Sequence, residues 1–369
     1  MVRYRFSKEI NKEFSKTLRS RVNGYFKDNG INPRANQKMV LKSLLITGFY
    51  LGVYAIVLFS GITNIYAMFG LWFLLGVGQT FIGTAVMHDV LHGSFSKNKL
   101  VNTLMELPII AIGVEPTIWK IQHNVLHHTY TNIEHADEDI ASRYVLRMTE
   151  NQPRKWFHKY QQYYATFLYS LLTIIWMTAK DFIKLNTYYK ENLITPKKAA
   201  FTFLNIIFRR VVFYTMFLVI PLYTLDFTPF QIVMMFLTML LTSGLALSII
   251  FQTAHVLQEC VTMEQNEELI EENWYVHQLM TTSNYAPKSK WITYFFGCLN
   301  FQVEHHLFPN ISHVYYPEIS KIVKATAKEY GIPYNSIDTF GGAIKSHYGM
   351  LKQLGQHDNV VATSTFMYA

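Results

Sequence analysis

The sequence predicts an all-α integral membrane protein with about four transmembrane helices, further helices at the interface, and a cytosolic helical cap holding a histidine-rich site for two metal ions. Three observations predict it. Half of the 369 residues are hydrophobic, 15% are aromatic and only 16% are charged, too apolar for an ordinary soluble domain of this length. Four apolar runs read as bilayer-spanning helices. Eight of the 14 histidines fall at or just beyond the ends of those runs.

The formal charge of +8 does not point to nucleic acid, because the basic residues form no single stripe with interleaved aromatics. They sit between apolar runs, as on the cytoplasmic side of a membrane. Cys260 and Cys298 match no metal-binding spacing and read as two reduced thiols. The first 39 residues are polar and charged throughout and contain no cleavable leader pattern.

Residues 1–39 are expected to form an amphipathic cytosolic segment, with Phe6, Ile10, Phe14, Leu18, Val22 and Phe26 at four-residue spacing. Ten Lys or Arg among them suit an anionic leaflet, and the same stripe suits packing on the protein's own globular part. A first transmembrane pair follows within 40–87, as Val40–Phe59 and Tyr66–Met87, and the second member runs directly into His88 and His92. Residues 88–200 form a cytosolic or interfacial region. Its apolar runs, Leu104–Ile118 and Ala165–Thr178, are broken by Glu and Pro or are too short to span. A second pair occupies 201–255, with Val211–Leu225 and Phe230–Phe251 joined around Asp226 to Pro229, and Arg209-Arg210 marking the cytoplasmic entrance. Parity requires this: an even number of crossings must separate the histidines at 88–128 from those after residue 300. Residues 256–369 complete the cap, with a helix from Pro317 to Gly331, and all five stretches belong to one domain.

The stretch from Trp119 to Asn132 carries His123, His127 and His128, two of them placed four apart on one helical face. His88 and His92 repeat that spacing, His255 follows the last span, and His305-His306 form a second doublet. Eight neutral imidazoles exceed the four ligands of a structural zinc site and suit two ions with open coordination. Imidazole alone leaves iron, zinc, copper and nickel open.

His88-x-x-x-His92, His123-x-x-x-His127-His128 and Gln302-x-x-His305-His306 resemble the three histidine boxes of the membrane fatty acid desaturases. The likeness extends to Gln252-x-x-His255 and to Asn300 through Pro309, and a Gln opening the third box marks the front-end, linoleoyl-CoA-like branch. The resemblance implies an oxidoreductase with two iron ions, dioxygen as co-substrate and a cis double bond as product, at a delta-6-like front-end position of an acyl-CoA or acyl-lipid. It implies iron ligation by His88, His92, His123, His127, His128, His255, His305 and His306. Gln302, His277, Gln252, Asp89, Asn124, Asp137 and Asp139 are candidates for binding metal or orienting a ligand. His135, His158, His313, His347 and His357 stay outside the metal set.

Neither the His-Pro-Gly-Gly haem signature of many front-end desaturases nor a dinucleotide fingerprint occurs, so no haem, flavin or nicotinamide site is expected within the chain. Electrons are then expected from a separate donor, such as a ferredoxin or a small haem cytochrome with its reductase. Lys97, Lys99, Arg143, Arg147, Arg154, Lys155 and Lys159 offer it, or lipid headgroups, a basic docking surface. The expected location is multi-pass in a bacterial inner membrane, with the active site on the cytoplasmic face. Two other readings compete. A related di-iron hydroxylase or oxygenase of alkyl, sterol or carotenoid substrates would use the same ligands. A histidine-rich metal transporter would place its ligands near the bilayer midplane and not at helix ends.

Overall fold

The computed structural model describes residues 4–140, 145–263 and 269–357. In chain order it runs β1 (Arg5–Phe6), α1 (Lys12–Asp28), α2 (Gln37–Phe59), α3 (Ile65–His92), α4 (Lys99–Ala111) and α5 (Pro116–His127). There follow α6 (Trp156–Ser170), α7 (Leu172–Lys190), α8 (Pro196–Thr224), α9 (Pro229–His255), β2 (Leu269–Ile270) and α10 (Trp274–Thr281). The last elements are β3 (Asn284–Tyr285), α11 (Lys290–Phe295), α12 (Gln302–Leu307), α13 (Tyr316–Glu329), β4 (Ser336–Ile337) and α14 (Phe340–Gln356). These fall into two compact units, one of Met1–Ala35, Gln122–Ala165 and Ile249–Ala369, the other of Asn36–Ile121 and Thr166–Ser248.

The second unit is the apolar one. Helices α2, α3, α8 and α9 are long and apolar enough to cross a membrane. Local sequence sets their starts: Asn36, Asn64 and Thr195 each accept a backbone N–H of the first turn, and Pro196 supplies the fixed φ of a first helical residue. Helix α3 continues through His92 and stops at Gly93, whose φ of 73° is costly for any side chain with a Cβ. The pair α4 and α5 is bent by 98° and the pair α6 and α7 by 51°, so neither forms a straight span.

Helix α8 corrects the expected boundary. It begins at Pro196, well before Val211, and Arg209 and Arg210 lie buried within its length. Burying a guanidinium there requires partners. Arg210 donates to Asp181 Oδ2 at 2.5 Å, to the Trp176 carbonyl at 2.9 Å and to the Gly113 carbonyl. Asn205 receives the Arg209 Nε–H and itself donates to Glu115. Charge that reads locally as a membrane boundary is compensated by residues distant in sequence.

In the first unit, α1 begins at Lys12, later than the periodicity suggests, because Phe6 sits in β1, paired in parallel with β2. Phe14, Leu18 and Val22 pack on Leu279, Val303, Ile319 and Val323 and are at most 1% exposed. The stripe from Phe14 to Phe26 is thus covered by protein, whereas Ile10 is exposed. A second parallel pair joins β3 to β4. At the end of the described chain, α14 is fastened to the segment after α9: His347 Nδ1 donates to the Val256 carbonyl at 2.8 Å, and Ser346 Oγ to Glu259 at 2.6 Å.

Candidate metal centre

The middle histidine stretch departs from the α-helical geometry its spacing suggests. Lys120–His127 is a π-helical segment, and the His128 N–H reaches the His123 carbonyl five residues back at 3.0 Å. In an α-helix, at about 100° per residue, His128 would lie roughly 140° around the axis from His123. The wider turn brings the fifth residue back over the first, so His127 and His128 flank His123. Their rings lie 5.2 Å and 4.7 Å from the His123 ring. A π-helical stretch, Ile82–Met87, also precedes His88 in the other unit, where the His88 and His92 rings are 4.6 Å apart and both meet Trp119.

Within the first unit the imidazoles converge from three elements. His127 of α5, His255 at the end of α9 and His306 of α12 can each point one ring nitrogen so that the three lie within 4.8 Å of one another. His128, His305 and His306 do the same, as do His123, His127 and Asp139. All six of these histidines are 6% exposed or less. Burial pushes His306 well below the ordinary histidine pKa, so its ring is a neutral electron-pair donor. Burial also works against charge on His127, but the carboxylates of Asp137 and Asp139 outweigh it and push that pKa up to about 9. A metal at His127 therefore takes the place of a proton.

Second nitrogens decide which atom faces the centre. His127 Nδ1 lies 3.0 Å from both oxygens of Asp137, which also accept the backbone N–H groups of Asn132 and Asp139 at 2.9 Å. That leaves Nε2 of His127 as the ligand atom, the carboxylate–histidine arrangement common around protein metals. His306 Nδ1 lies 2.9 Å from Gln278 Oε1, and its buried Nε2 has no hydrogen-bond partner among the described residues. A buried nitrogen lone pair without a donor is costly in a core and suits a cation. The residues present therefore fit transition-metal ions held by imidazole.

The fatty acid desaturase family model matches residues 63–338. The chain belongs to the fatty acid desaturase family. It is 32% identical over 351 residues to the sn-1 linoleoyl-lipid 6-desaturase of Arthrospira platensis, covering 95% of this chain and 94% of that protein. It is 33% identical to the acyl-lipid (8-3)-desaturase of Physcomitrium patens, covering 94% of this chain and 72% of that protein. The sn-1 linoleoyl-lipid 6-desaturase of Synechocystis is 31% identical, with coverage of 93% and 96%. These relatives agree with the front-end branch, and the protein is a membrane desaturase, an oxidoreductase.

The remaining expected positions of this desaturase divide by contact. Asp137 orients His127, and Asp139 accepts from Gln122 at 2.6 Å with its other oxygen 3.7 Å from His127 Nδ1. Gln252 reaches the Asp139 carbonyl at 3.4 Å. Gln302 is buried beside the third-box histidines, and its Nε2 has no hydrogen-bond partner among the described residues. Asn124 is half-buried within the π-helical segment, between His123 and His127. Asp89 is buried in the other unit, where its carbonyl accepts from Ser94. His277 Nε2 is 2.8 Å from the Thr131 carbonyl and so donates to backbone, while burial lowers its pKa to about 4. His158 and His347, outside the metal set, are buried and bonded to backbone groups.

Of the expected docking residues, Lys97, Lys99, Arg154, Lys155 and Lys159 are exposed, and Arg143 lies outside the described residues. Arg147 is a correction. It is 2% exposed and donates to the carbonyls of Gln152, Leu354 and His357 at 2.6–2.7 Å and to that of Glu150, so it offers nothing to a partner.

Three contributors escaped the sequence. Gln278 and Thr131 meet His306, and Glu304 is held between Asn284 Nδ2 at 2.8 Å and Tyr334 Oη at 3.0 Å. Burial pushes the Glu304 carboxyl up to about 8 against those two donors, while Asn284 Oδ1 accepts the Val303 N–H at the start of α12. Gln278 directly follows His277, an expected candidate, which is the one signal that pointed near it.

Proposed function

We propose that this desaturase acts on a lipid-bound acyl chain, placing a cis double bond at a delta-6-like front-end position. The overall change takes two hydrogens from adjacent methylenes and, with two electrons and two protons from outside, reduces dioxygen to two waters. The grouping of buried imidazoles with oriented second nitrogens carries the reading, and the sn-1 linoleoyl-lipid 6-desaturases among its relatives support the substrate class. Two irons bound there would activate dioxygen to a level able to oxidise an unactivated methylene, which no side-chain acid or base can do.

His123, His127, His128, His255, His305 and His306 are the proposed ligands of the first unit; the first-box spacing assigns His88 and His92 the same role. Asp137 holds His127 in the tautomer that presents Nε2, and Asp139 adds negative charge beside His123 and His127. Burial of these groups excludes bulk water from a reaction that would otherwise lose reducing equivalents. Electrons come from a separate carrier protein, and the histidine side faces the cytoplasm of a bacterial cell.

Expression in a host that makes linoleate but no further double bond, followed by mapping of double-bond positions in each lipid class, tests the proposal. A new bond six carbons from the carboxyl end in glycerolipids is the expected result. A new hydroxyl or ketone with unchanged unsaturation would sink it.

A further inference from the structure

Helix α10 touches two of the three histidine-bearing segments of the first unit. Asn273 caps its start, and three of its side chains face the stretch after His127. Trp274 Nε1 donates to the His128 carbonyl at 3.2 Å, His277 Nε2 to the Thr131 carbonyl at 2.8 Å, and Gln278 Oε1 accepts from Thr131 Oγ1 at 2.9 Å. The same Gln278 oxygen lies 2.9 Å from His306 Nδ1. An amide oxygen only accepts, so Nδ1 must carry the single proton of the neutral imidazole. Nε2 is then a bare lone pair, with no hydrogen-bond partner among the described residues.

We propose that Gln278 is the positioning residue of His306, fixing by its Oε1 the ring orientation and tautomer in which Nε2 binds the metal. It does for His306 what Asp137 does for His127, with one difference of chemistry. A carboxylate strengthens the basicity of the ring it holds, whereas a neutral amide orients without adding charge. His127 and His306 belong to one metal-sized group with His255, so that group joins one charge-backed and one amide-backed imidazole. His277, next to Gln278, donates its Nε2–H to backbone and belongs to none of the metal-sized groups among the described residues.

This inference rests on the metal-centre reading above, and the test separates the two. The full chain, purified in detergent and stripped of metal, is titrated anaerobically with ferrous iron. Bound metal is counted by elemental mass spectrometry after competition with a chelator. Gln278→Leu, which keeps the bulk and removes the acceptor, should weaken the affected site about 10–100-fold. Gln278→Glu, which keeps an acceptor, should hold metal at least as well as the wild type, and both variants should melt like wild type before metal is added. A Leu variant with wild-type iron affinity overturns the role of Gln278. So does equal loss of iron by Leu and Glu variants with a lowered metal-free melting point, which would make the residue structural only. A wild-type chain that takes up no iron overturns the metal-centre reading itself.

Discussion

His347 shows how a buried histidine outside the metal set can govern stability. Burial, only partly opposed by its bond to the Val256 carbonyl, lowers its pKa to about 4, against 6.5 for the free side chain. The ring is therefore neutral when folded and takes a proton more readily when unfolded. Its contribution is complete above pH 6.5 and is lost as pH falls towards 4, by about 3 kcal/mol across that window. His347→Asn keeps a donor near the Nδ1 position and cannot titrate. Thermal melts between pH 7 and 4 should show a flatter pH dependence for the variant, and parallel curves would remove His347 from the acid sensitivity. Legibility at this scale followed periodic spacing. His123, His127 and His128 are evident because a repeated residue type at fixed intervals is a pattern, and Asp137 lies within reach of it. A lone Gln278 carries no interval, and its partner His306 is far along the chain.

Helices in the apolar unit meet at glycine. A Cβ on Gly244 of α9 would fall onto the Ser170 carbonyl at the end of α6, where Ser248 Oγ also donates to the Tyr169 carbonyl at 3.1 Å. Gly244→Val should cost about 1–3 kcal/mol through overpacking. Gly52→Ala in α2, with open space around the new Cβ, should leave the melt unchanged or raise it. Detergent melts of the two variants check the contrast, and equal behaviour would mean that α6 and α9 do not approach as described. Element existence was evident from apolar length, but two boundaries were not. The Arg209-Arg210 pair reads as the start of an apolar run because the compensating Asp181 sits in another helix. The stripe of α1 reads equally as membrane-facing or protein-facing, since its own residues do not say what covers them.

At the level of the whole molecule, buried Arg147 ties the loop after the second box to the end of α14, spanning about two hundred residues of sequence. Replacing it by Met leaves the carbonyls of Glu150, Gln152, Leu354 and His357 without that donor, at a cost on the order of 3 kcal/mol. Limited proteolysis should release the C-terminal helix from Arg147→Met faster than from wild type, and equal resistance would argue against the tie. The class of the molecule was legible throughout, because composition and histidine spacing are properties of the sequence itself. Its ties were not, because carbonyl acceptors have no residue signature. Asn132 gives the largest example: its single amide donates to the carbonyls of His255, Val261 and Thr281 at 2.9–3.3 Å. Those acceptors are synthesised long after Asn132 has left the ribosome. The middle box must wait, unknit, while α9 and α10 are still being made, so a metal held by His127, His255 and His306 would find its ligand set complete only once α12 has followed them.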